Sequence, residues 1–295
     1  EIMPSLVGSE MCIRDSIREW PMKKKNSSYI LIIIFIIGLS VLLYPTVSNY
    51  INQKNQSEAI ATYDKKVSKM TKKDFKKYFE EAEAYNEKLA QHPDAFFNPD
   101  EIEGYEKILD ISGTGIMGYV TIDKIDQSLP IYHGTDQTVL EIASGHFKGT
   151  SFPIGGKSTH SVISAHRGLP SAKLFTDLDK MEVGDTFTIT VLNRILTYEV
   201  DKISIVEPAE TEGLQIEEGK DYCTLMTCTP YGINSERLLV RGHRIPTNSK
   251  RNVKITSEAF RIEPLLVATA LAVPMFIILL LLLLCQTKMK RGKKL

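Results

Sequence analysis

Two long apolar runs dominate the hydropathy pattern of this 295-residue chain. The first covers residues 29–45 without a charge, and the second covers residues 264–285. About 20 apolar residues in a helix match the thickness of the hydrocarbon core of a bilayer. We therefore predict a transmembrane helix at 264–285, and at 29–45 either a retained membrane anchor or a cleaved signal peptide. Tyr44 and Pro45, without a small-residue cleavage site after them, favour the anchor.

Basic residues lie at the outer end of each apolar run. Residues 22–28 form a basic segment before the first run, and residues 286–295 form a basic tail after the second. Because basic residues favour the cytoplasmic side of a membrane, we expect both termini inside the cell and the intervening chain outside. Met22 suits the start of such an export segment. Residues 1–21 fit neither a targeting segment nor a folded element, and we expect them to be a non-native leader.

Between the apolar runs the pattern first has the period of a helix. Apolar residues recur every three or four positions over residues 58–90. Thr71, followed three residues later by Asp74, resembles a capping pair and predicts two consecutive helices rather than one. The proline-containing stretch 92–99 predicts a loop. A helical segment with this loop is therefore expected at 48–112.

Beyond Gly113 the pattern changes to short β-type runs separated by glycine and proline. Many short strands with turn residues between them predict an all-β barrel or sandwich, so the expected fold class is mainly β. We place this barrel or sandwich at 113–246 and a linker at 247–263. Examples of these predicted strands are 117–122, 161–165, 186–192, 196–206, 222–227 and 237–241.

Composition limits the classes of function. Apolar residues make up 43% of the chain and charged residues 24%, which is ordinary for a folded protein. The formal net charge is zero, so nothing indicates nucleic acid as a partner. Only two of the four cysteines, Cys223 and Cys228, lie between the apolar runs, and no second pair of ligands accompanies them. We expect no metal and no cofactor, and a free thiol in an exported domain points to chemistry at sulfur.

Cys228 has the better position for that chemistry. The preceding residues, Thr224 to Thr227, alternate as a strand does, and Thr229 and Pro230 end the strand. Cys228 is therefore expected at the end of a strand, where a side chain can face a groove. The plainer alternative is a buried structural cysteine, a common fate for a free thiol.

A nucleophilic thiol needs a proton acceptor or a lowered pKa, and histidine is the usual partner. His166 directly follows the strand predicted at 161–165, so it also lies at a strand end. His160 begins the same strand, about 20 Å from His166 in an extended run. Only one of the two can therefore be at Cys228, and His166 has the matching position.

Arginine can stabilise the charge that develops on a substrate carbonyl. Arg237 and Arg241 both lie on the strand that follows the Cys228 strand. If the two strands pair antiparallel, Arg237 returns close to the thiol, whereas Arg241 lies about 13 Å further along. An ordinary salt bridge is the alternative for either arginine.

Several of these segments together resemble the sortase family. The segment TLMTC at 224–228, with Arg237 nine residues after the cysteine, resembles the TLxTC signature of sortases. The stretch SVISAHRGLP around His166 is similar to the family's histidine motif, and the resemblance extends over roughly residues 58–246. The second apolar run and the segment CTPYGINSERLLVRG at 228–242 are similar to class C, the pilus-building class.

The resemblance implies an eight-stranded sortase β-barrel that cleaves an LPxTG-type sorting signal between its Thr and Gly. Cys228 would form a thioacyl-enzyme, His166 would act as general acid and base, and Arg237 would stabilise the oxyanion or position the substrate. Thr224 and Thr227 of the motif would bind substrate. The implied partners are LPxTG-bearing surface proteins or pilin subunits, together with membrane lipid. A lysine amine of the next pilin would accept the acyl group.

The chain departs from class C at one point. Enzymes of that class often have a lid over the groove with an Asp-Pro-aromatic anchor, whereas the corresponding loop here reads FFNPD at 96–100. A lid would therefore use Phe96 or Phe97. Two other functions stay open, namely a sortase that attaches single proteins to the cell wall, and a non-enzymatic, membrane-tethered surface scaffold.

Overall fold

The computed structural model describes residues 24–247, 273, 276 and 277, with side chains from Ile33 onward except that of Pro93. The leader predicted at 1–21 lies outside the described residues. So do most of the linker and most of the second apolar run.

Two helices precede the barrel. Helix α1 spans Lys24–Val67, and helix α2 spans Lys72–Gln91. Thr71 caps α2, because its hydroxyl accepts the Asp74 backbone N–H while the Asp74 carboxylate accepts the Thr71 backbone N–H. These reciprocal hydrogen bonds satisfy two backbone donors at the helix start, which explains the predicted break between the helices.

Within the described residues, one helix is long and apolar enough to cross a membrane by length and composition alone, and it is the stretch Ile33–Val67 of α1. The chain divides within α1 into two compact units, Glu1–Leu42 and Leu43–Leu295. The predicted second span at 264–285 stays a prediction, because only three of its residues are described.

Between α2 and residue 247 the structure has eight strands and one short α-helix, α3 (Gln137–Leu140). The strands are β1 Ile116–Ile122, β2 Gln127–His133, β3 Ser144–His146, β4 Thr159–Ser164, β5 Thr186–Val191, β6 Arg194–Val206, β7 Asp221–Thr229 and β8 Glu236–Ile245. They close into a barrel in the order β1-β2-β3-β4-β7-β8-β6-β5. Strand β7 runs parallel to β4 and antiparallel to β8. The eight-stranded barrel is therefore confirmed.

Side chains on β4, β7 and β8 alternate between two apolar clusters. Leu225 and Val240 are fully buried in the main core inside the barrel. Val162, Met226 and Leu239 belong to a second cluster. Because successive side chains of a strand point to opposite faces, the second cluster lies on the outer face. We call this outer face of β4, β7 and β8 the groove face.

Helix α2 packs against the barrel through its apolar stripe. Ala82, Tyr85 and Leu89 are buried in the main core. Asn86 on the same helix donates from its side-chain amide to the Phe152 carbonyl and accepts the Phe152 backbone N–H, at 3.2 and 2.7 Å. One buried amide thus satisfies both backbone groups of a loop residue, as burial of polar groups requires.

Candidate active site

Strand alternation assigns the two cysteines of β7 to opposite faces. Cys223 is fully buried in the main core, and burial raises the pKa of its thiol well above the usual value. Cys228 is half-buried and shares the groove face with Met226, two residues before it. A neutral thiol without access is inert. Of the two described cysteines, Cys228 is therefore the one that a substrate can reach.

Arg237 is the direct cross-strand partner of Cys228. The antiparallel register of β7 and β8 pairs these two residues. Directly opposed residues have Cβ atoms about 5 Å apart and side chains on the same face. The Nη1 group of Arg237 donates hydrogen bonds to the carbonyls of Asn234 and Glu236, at 3.3 and 3.0 Å, and these bonds fix the guanidinium. Among the described residues these bonds use only Nη1, so other guanidinium donors are available to an oxygen near the thiol.

Arg241 lies four residues further along β8, opposite Thr224. Its guanidinium forms two hydrogen bonds with the Asp201 carboxylate, at 3.1 and 3.0 Å, and one with Glu217 at 3.1 Å. Its carbon also lies 4.1 Å from the centre of the Tyr222 ring. The salt-bridge interpretation is therefore right for Arg241.

His166 follows the end of β4, beside the Cys228 strand. Ser164 pairs with Met226 in the parallel register, and the Ala165 backbone N–H donates to the Met226 carbonyl at 3.2 Å. Continuing this register by two residues brings His166 level with Cys228. Both have side chains that are neither fully buried nor fully exposed, so solvent or a substrate can approach the pair.

His160, the other histidine of β4, lies at the far end of the strand, opposite Tyr222. Its Nε2 is 2.7 Å from the Thr224 hydroxyl, and its Nδ1 is 2.8 Å from the Gln215 carbonyl. Burial lowers the pKa of His160 to about 4. This histidine is therefore a neutral, fully hydrogen-bonded group away from Cys228.

Thr224 and Thr227 of the motif are buried, whereas the resemblance implied that they bind substrate. Thr224 is fully buried and bonded to His160, and Thr227 is 1% exposed, with its hydroxyl donating to the Ala165 carbonyl at 2.8 Å. Neither hydroxyl is accessible to a substrate in this structure, which corrects the expectation of direct substrate binding. The reason is that each hydroxyl satisfies a buried polar group of β4 or of the segment after it.

Arg167 is a part of the site that the sequence pattern did not single out. Its side chain is only 9% exposed, and its guanidinium forms an ion pair with Asp179 and donates to the Thr229 hydroxyl at 3.3 Å. The guanidinium carbon also lies 6.0 Å from the centre of the Tyr231 ring. Arg167 directly follows His166, and Thr229 directly follows Cys228. The hydrogen bond between Arg167 and Thr229 therefore connects the two segments that carry His166 and Cys228. Only its place beside His166 could have drawn attention to it.

The two lid candidates have different environments. Phe96 stacks on Phe147, with ring centres 5.8 Å apart, and packs against the groove-face cluster that contains Met226. Phe97 is 61% exposed. At Gly149, whose φ is +91°, an added Cβ would lie 2.9 Å from the Phe96 carbonyl, so the loop approaches the barrel closely here. Of the two candidates, only Phe96 packs over the groove face.

A cavity of about 380 Å³ continues the groove face beyond Phe96. Its lining includes Phe96, His160, Leu214 and Ile216, from the candidate lid, β4 and the loop between β6 and β7. Phe96 and Leu214 belong both to this lining and to the groove-face cluster. The cavity and the surface leading to Cys228 are therefore contiguous, with Phe96 between them.

The chain is similar to known proteins in sequence and in fold. The family model described as the sortase domain matches residues 120–245. Sortase C1 from Streptococcus agalactiae is 47% identical, with a TM-score of 0.60 over 65% of this chain and 100% of that chain. The chain belongs to the sortase family. Sortases are cysteine transpeptidases, and the nucleophile in such enzymes is a cysteine thiol.

Further comparisons support the class of this sortase. Sortase C from Streptococcus pneumoniae is 46% identical, with a TM-score of 0.59 over 64% of this sortase and 97% of that chain. Among curated proteins, sortase D from Bacillus subtilis (strain 168) is 30% identical over 131 residues. That alignment covers 43% of this sortase and 63% of the curated relative. The higher identity to the C-type structures supports class C.

Proposed function

We propose that this sortase cleaves an LPxTG-like sorting signal and transfers the acyl fragment to an amine, which is a lysine of a pilin subunit. The observation that supports this most is the juxtaposition of Cys228 with Arg237, while His166 follows the strand paired with β7. Acyl transfer uses a nucleophile, a base and a group that stabilises the oxyanion, and the guanidinium of Arg237 can supply the third.

In the first half-reaction the Cys228 thiolate attacks the threonine carbonyl carbon of the signal. The carbonyl oxygen becomes an oxyanion, which Arg237 stabilises through its guanidinium N–H groups. The C–N bond to the following glycine then breaks, and the His166 imidazolium protonates the leaving amine. The products are a thioester on Cys228 and the released C-terminal fragment of the signal.

In the second half-reaction the lysine ε-amine attacks the thioester carbon. His166 takes a proton from the attacking amine, the C–S bond breaks, and the thiolate leaves. One amide bond is consumed and one is formed, so the exchange needs no external energy source. Water in place of the amine would give a free acid.

The pilin acceptor is favoured by the comparison with class C. Identity reaches 47% and 46% with the two C-type structures, against 30% with the curated sortase D. The sortase C of S. pneumoniae is described as having pilin substrate specificity. A sortase that anchors single proteins to the wall remains the alternative, and it would prefer a wall-peptide amine.

We further propose that the enzyme is anchored in the cell membrane, with both termini in the cytoplasm and the barrel outside. The apolar stretch of α1 and the apolar run at 264–285 would be the two spans. The basic segments at their outer ends support this orientation. Phe96 and the loop around it would form a lid over the groove face.

The test is incubation of the full chain in detergent micelles with an LPxTG peptide and a peptide that contains a pilin-type lysine. An amide between the two peptides supports the proposal. Free acid alone, or transfer only to a wall-type amine, supports wall anchoring or hydrolysis. An unchanged peptide with both the wild type and Cys228→Ala would support the non-enzymatic scaffold and overturn the proposal.

A further inference from the structure

Helix α1 presents a row of amide side chains to the barrel directly after its apolar run. Asn49, Asn52 and Gln56 recur at intervals of three and four, so they share one face of the helix. Each forms a hydrogen bond with a backbone group of a barrel loop or of α3's end, and none of these bonds involves a charge. The three amides therefore bind backbone groups of these segments and not their side chains.

Two of the three amides bind the loop that begins with His166. The Asn52 Nδ2 donates to the Ser171 carbonyl at 2.8 Å, and the Asn49 Oδ1 accepts the Lys173 backbone N–H at 2.8 Å. The partners are 119 and 124 residues away in sequence. Helix α1 thus supplies one hydrogen-bond donor, from Asn52, and one acceptor, from Asn49, to the segment 166–175.

The same loop is fastened to the barrel on its other side. Its residues Ala172, Leu174 and Phe175 are buried in the main core, and the Phe175 backbone N–H donates to the His166 carbonyl at 3.1 Å. This hydrogen bond connects the end of the loop directly to the backbone of His166. Two amides of α1 bind Ser171, directly before Ala172, and Lys173, between Ala172 and Leu174.

Leu174 indicates that this loop is held under constraint. Its φ is +41°, in the left-handed region that a branched residue rarely adopts. Such a conformation persists only where the surroundings over-determine it. Asn49 binds the peptide N–H of Lys173, the residue directly before Leu174, so α1 contributes to the constraint.

We propose that Asn49 and Asn52 are positioning residues for the transfer reaction, because they hold the loop 166–175 so that His166 stays level with Cys228. The proposal rests on the function proposed above. It assigns part of the active-site support to the part of α1 that follows the apolar run. Neither residue touches the substrate or the reacting atoms.

Gln56 provides a matched control on the same face of α1. Its Nε2 donates to the Ile142 carbonyl at 2.6 Å, at the end of α3 and outside the His166 loop. Gln56→Ala therefore removes the same kind of bond from the same helix. Alanine is a better helix former than asparagine or glutamine, so none of these substitutions should weaken α1.

The experiment uses the full chain in detergent micelles and compares Asn49→Ala, Asn52→Ala and Gln56→Ala with the wild type. Cleavage of an LPxTG peptide gives kcat and KM, and alkylation of Cys228 by iodoacetamide across pH, followed by peptide mass spectrometry, reports the Cys228–His166 pairing. We expect kcat to fall about tenfold or more in both asparagine variants, with KM changed less than about twofold. The pH dependence of alkylation should shift in these two variants and stay as in the wild type for Gln56→Ala.

Two isosteric variants test the direction of each bond. Asn49→Asp keeps an acceptor for the Lys173 N–H and should retain kcat near that of the wild type. Asn52→Asp replaces the donor to the Ser171 carbonyl with a second acceptor and should behave like Asn52→Ala. This separation tests the two hydrogen bonds themselves, and the pH dependence of Cys228 alkylation distinguishes positioning from a merely structural role.

The proposal is overturned if the asparagine variants match Gln56→Ala both in kcat and in the pH dependence of Cys228 alkylation. A failure of the proposed function is a different result, in which the wild type does not cleave the peptide at all. Alkylation needs no substrate, so its pH dependence still tests the positioning of His166 in that case.

Discussion

Cys228 and Arg237 face each other across the antiparallel pair β7–β8, on the outer side of the barrel. The pairing follows from a short loop that returns the chain antiparallel, so two residues nine apart in sequence become direct neighbours. The Nη1 bonds to the carbonyls of Asn234 and Glu236 hold the guanidinium at the strand end. A thiol and a fixed cation are thereby placed side by side.

Replacing Arg237 should affect turnover more than substrate binding. Arg237→Ala removes a donor to the oxyanion and should lower kcat roughly 10²-fold or more, the usual cost of one such donor. Arg237→Lys should recover little, because an ammonium group lacks the planar set of donors. Steady-state peptide cleavage measures both. Arg244→Ala on the same strand, which loses a bond to the Thr197 carbonyl, is the control and should keep kcat.

Arg167 should matter for both stability and turnover. Arg167→Ala removes hydrogen bonds to Asp179 and Thr229 and should lower the free energy of unfolding by about 2–3 kcal/mol. It should also lower kcat, because the link between the His166 and Cys228 segments is lost. Urea denaturation and peptide cleavage measure the two effects.

Arg194 offers a control for Arg167. It also combines an ion pair, with Glu83, and a ring contact, with Phe79, but it lies on β6. Arg194→Ala should leave kcat unchanged. An equal loss of kcat in both variants would show that Arg167 has no specific effect on the site.

Phe96 should control access to Cys228. Phe96→Ala removes the stacking on Phe147, worth about 0.5–1.5 kcal/mol, and should raise the alkylation rate of Cys228 roughly two- to tenfold. Phe97→Ala should raise the rate less, because Phe97 is exposed and the substitution removes only its edge-to-face contact with the Phe96 ring, with centres 5.2 Å apart, and leaves the stacking on Phe147. Deletion of residues 92–104 should raise the rate at least as much as Phe96→Ala. An unchanged rate after the deletion would contradict a lid at this position.

His160 should make the fold less stable in acid. Its pKa is lowered from 6.5 to about 4 in the folded protein, so the unfolded chain binds more protons in this range. The free energy of unfolding should therefore fall as the pH drops from about 6.5 towards 4, by at most about 1.4 kcal/mol per pH unit for this group. Urea denaturation at several pH values measures the slope. His160→Asn cannot titrate and should show a smaller slope, and parallel curves for the two proteins would rule out this contribution.

Much of the fold was predictable because its signals are local. The capping pair at Thr71 and Asp74 and the alternation of most strands depend only on neighbouring residues. The pattern alone indicated neither β2 nor β3, although the family resemblance covers β2. β3 has only three residues, too few for a visible period, and β2 contains Pro130, which a pattern-based prediction avoids in a strand.

The placement of the candidate residues was predictable where the argument depended on strand ends and pairing. The positions of His166, Cys228 and Arg237 at neighbouring strand ends follow from such reasoning, and their catalytic roles stay a proposal. Thr227 was not predictable in the same way, because its side chain satisfies a carbonyl 62 residues away. Contacts that join distant segments leave no periodic signal, and the bonds of Asn49 and Asn52 to the His166 loop are of the same kind.

The most direct test of the account is the intact mass of the full-length protein after brief incubation with an LPxTG peptide without an amine acceptor. We predict a mass increase equal to the free acid of the peptide fragment ending in threonine minus one water, located on Cys228 by peptide mapping and released by a lysine-containing peptide as an amide. Cys228→Ala should show no adduct. Cleavage of the peptide by Cys228→Ala, or an adduct on another residue in the wild type, would contradict the assignment of Cys228 as the nucleophile.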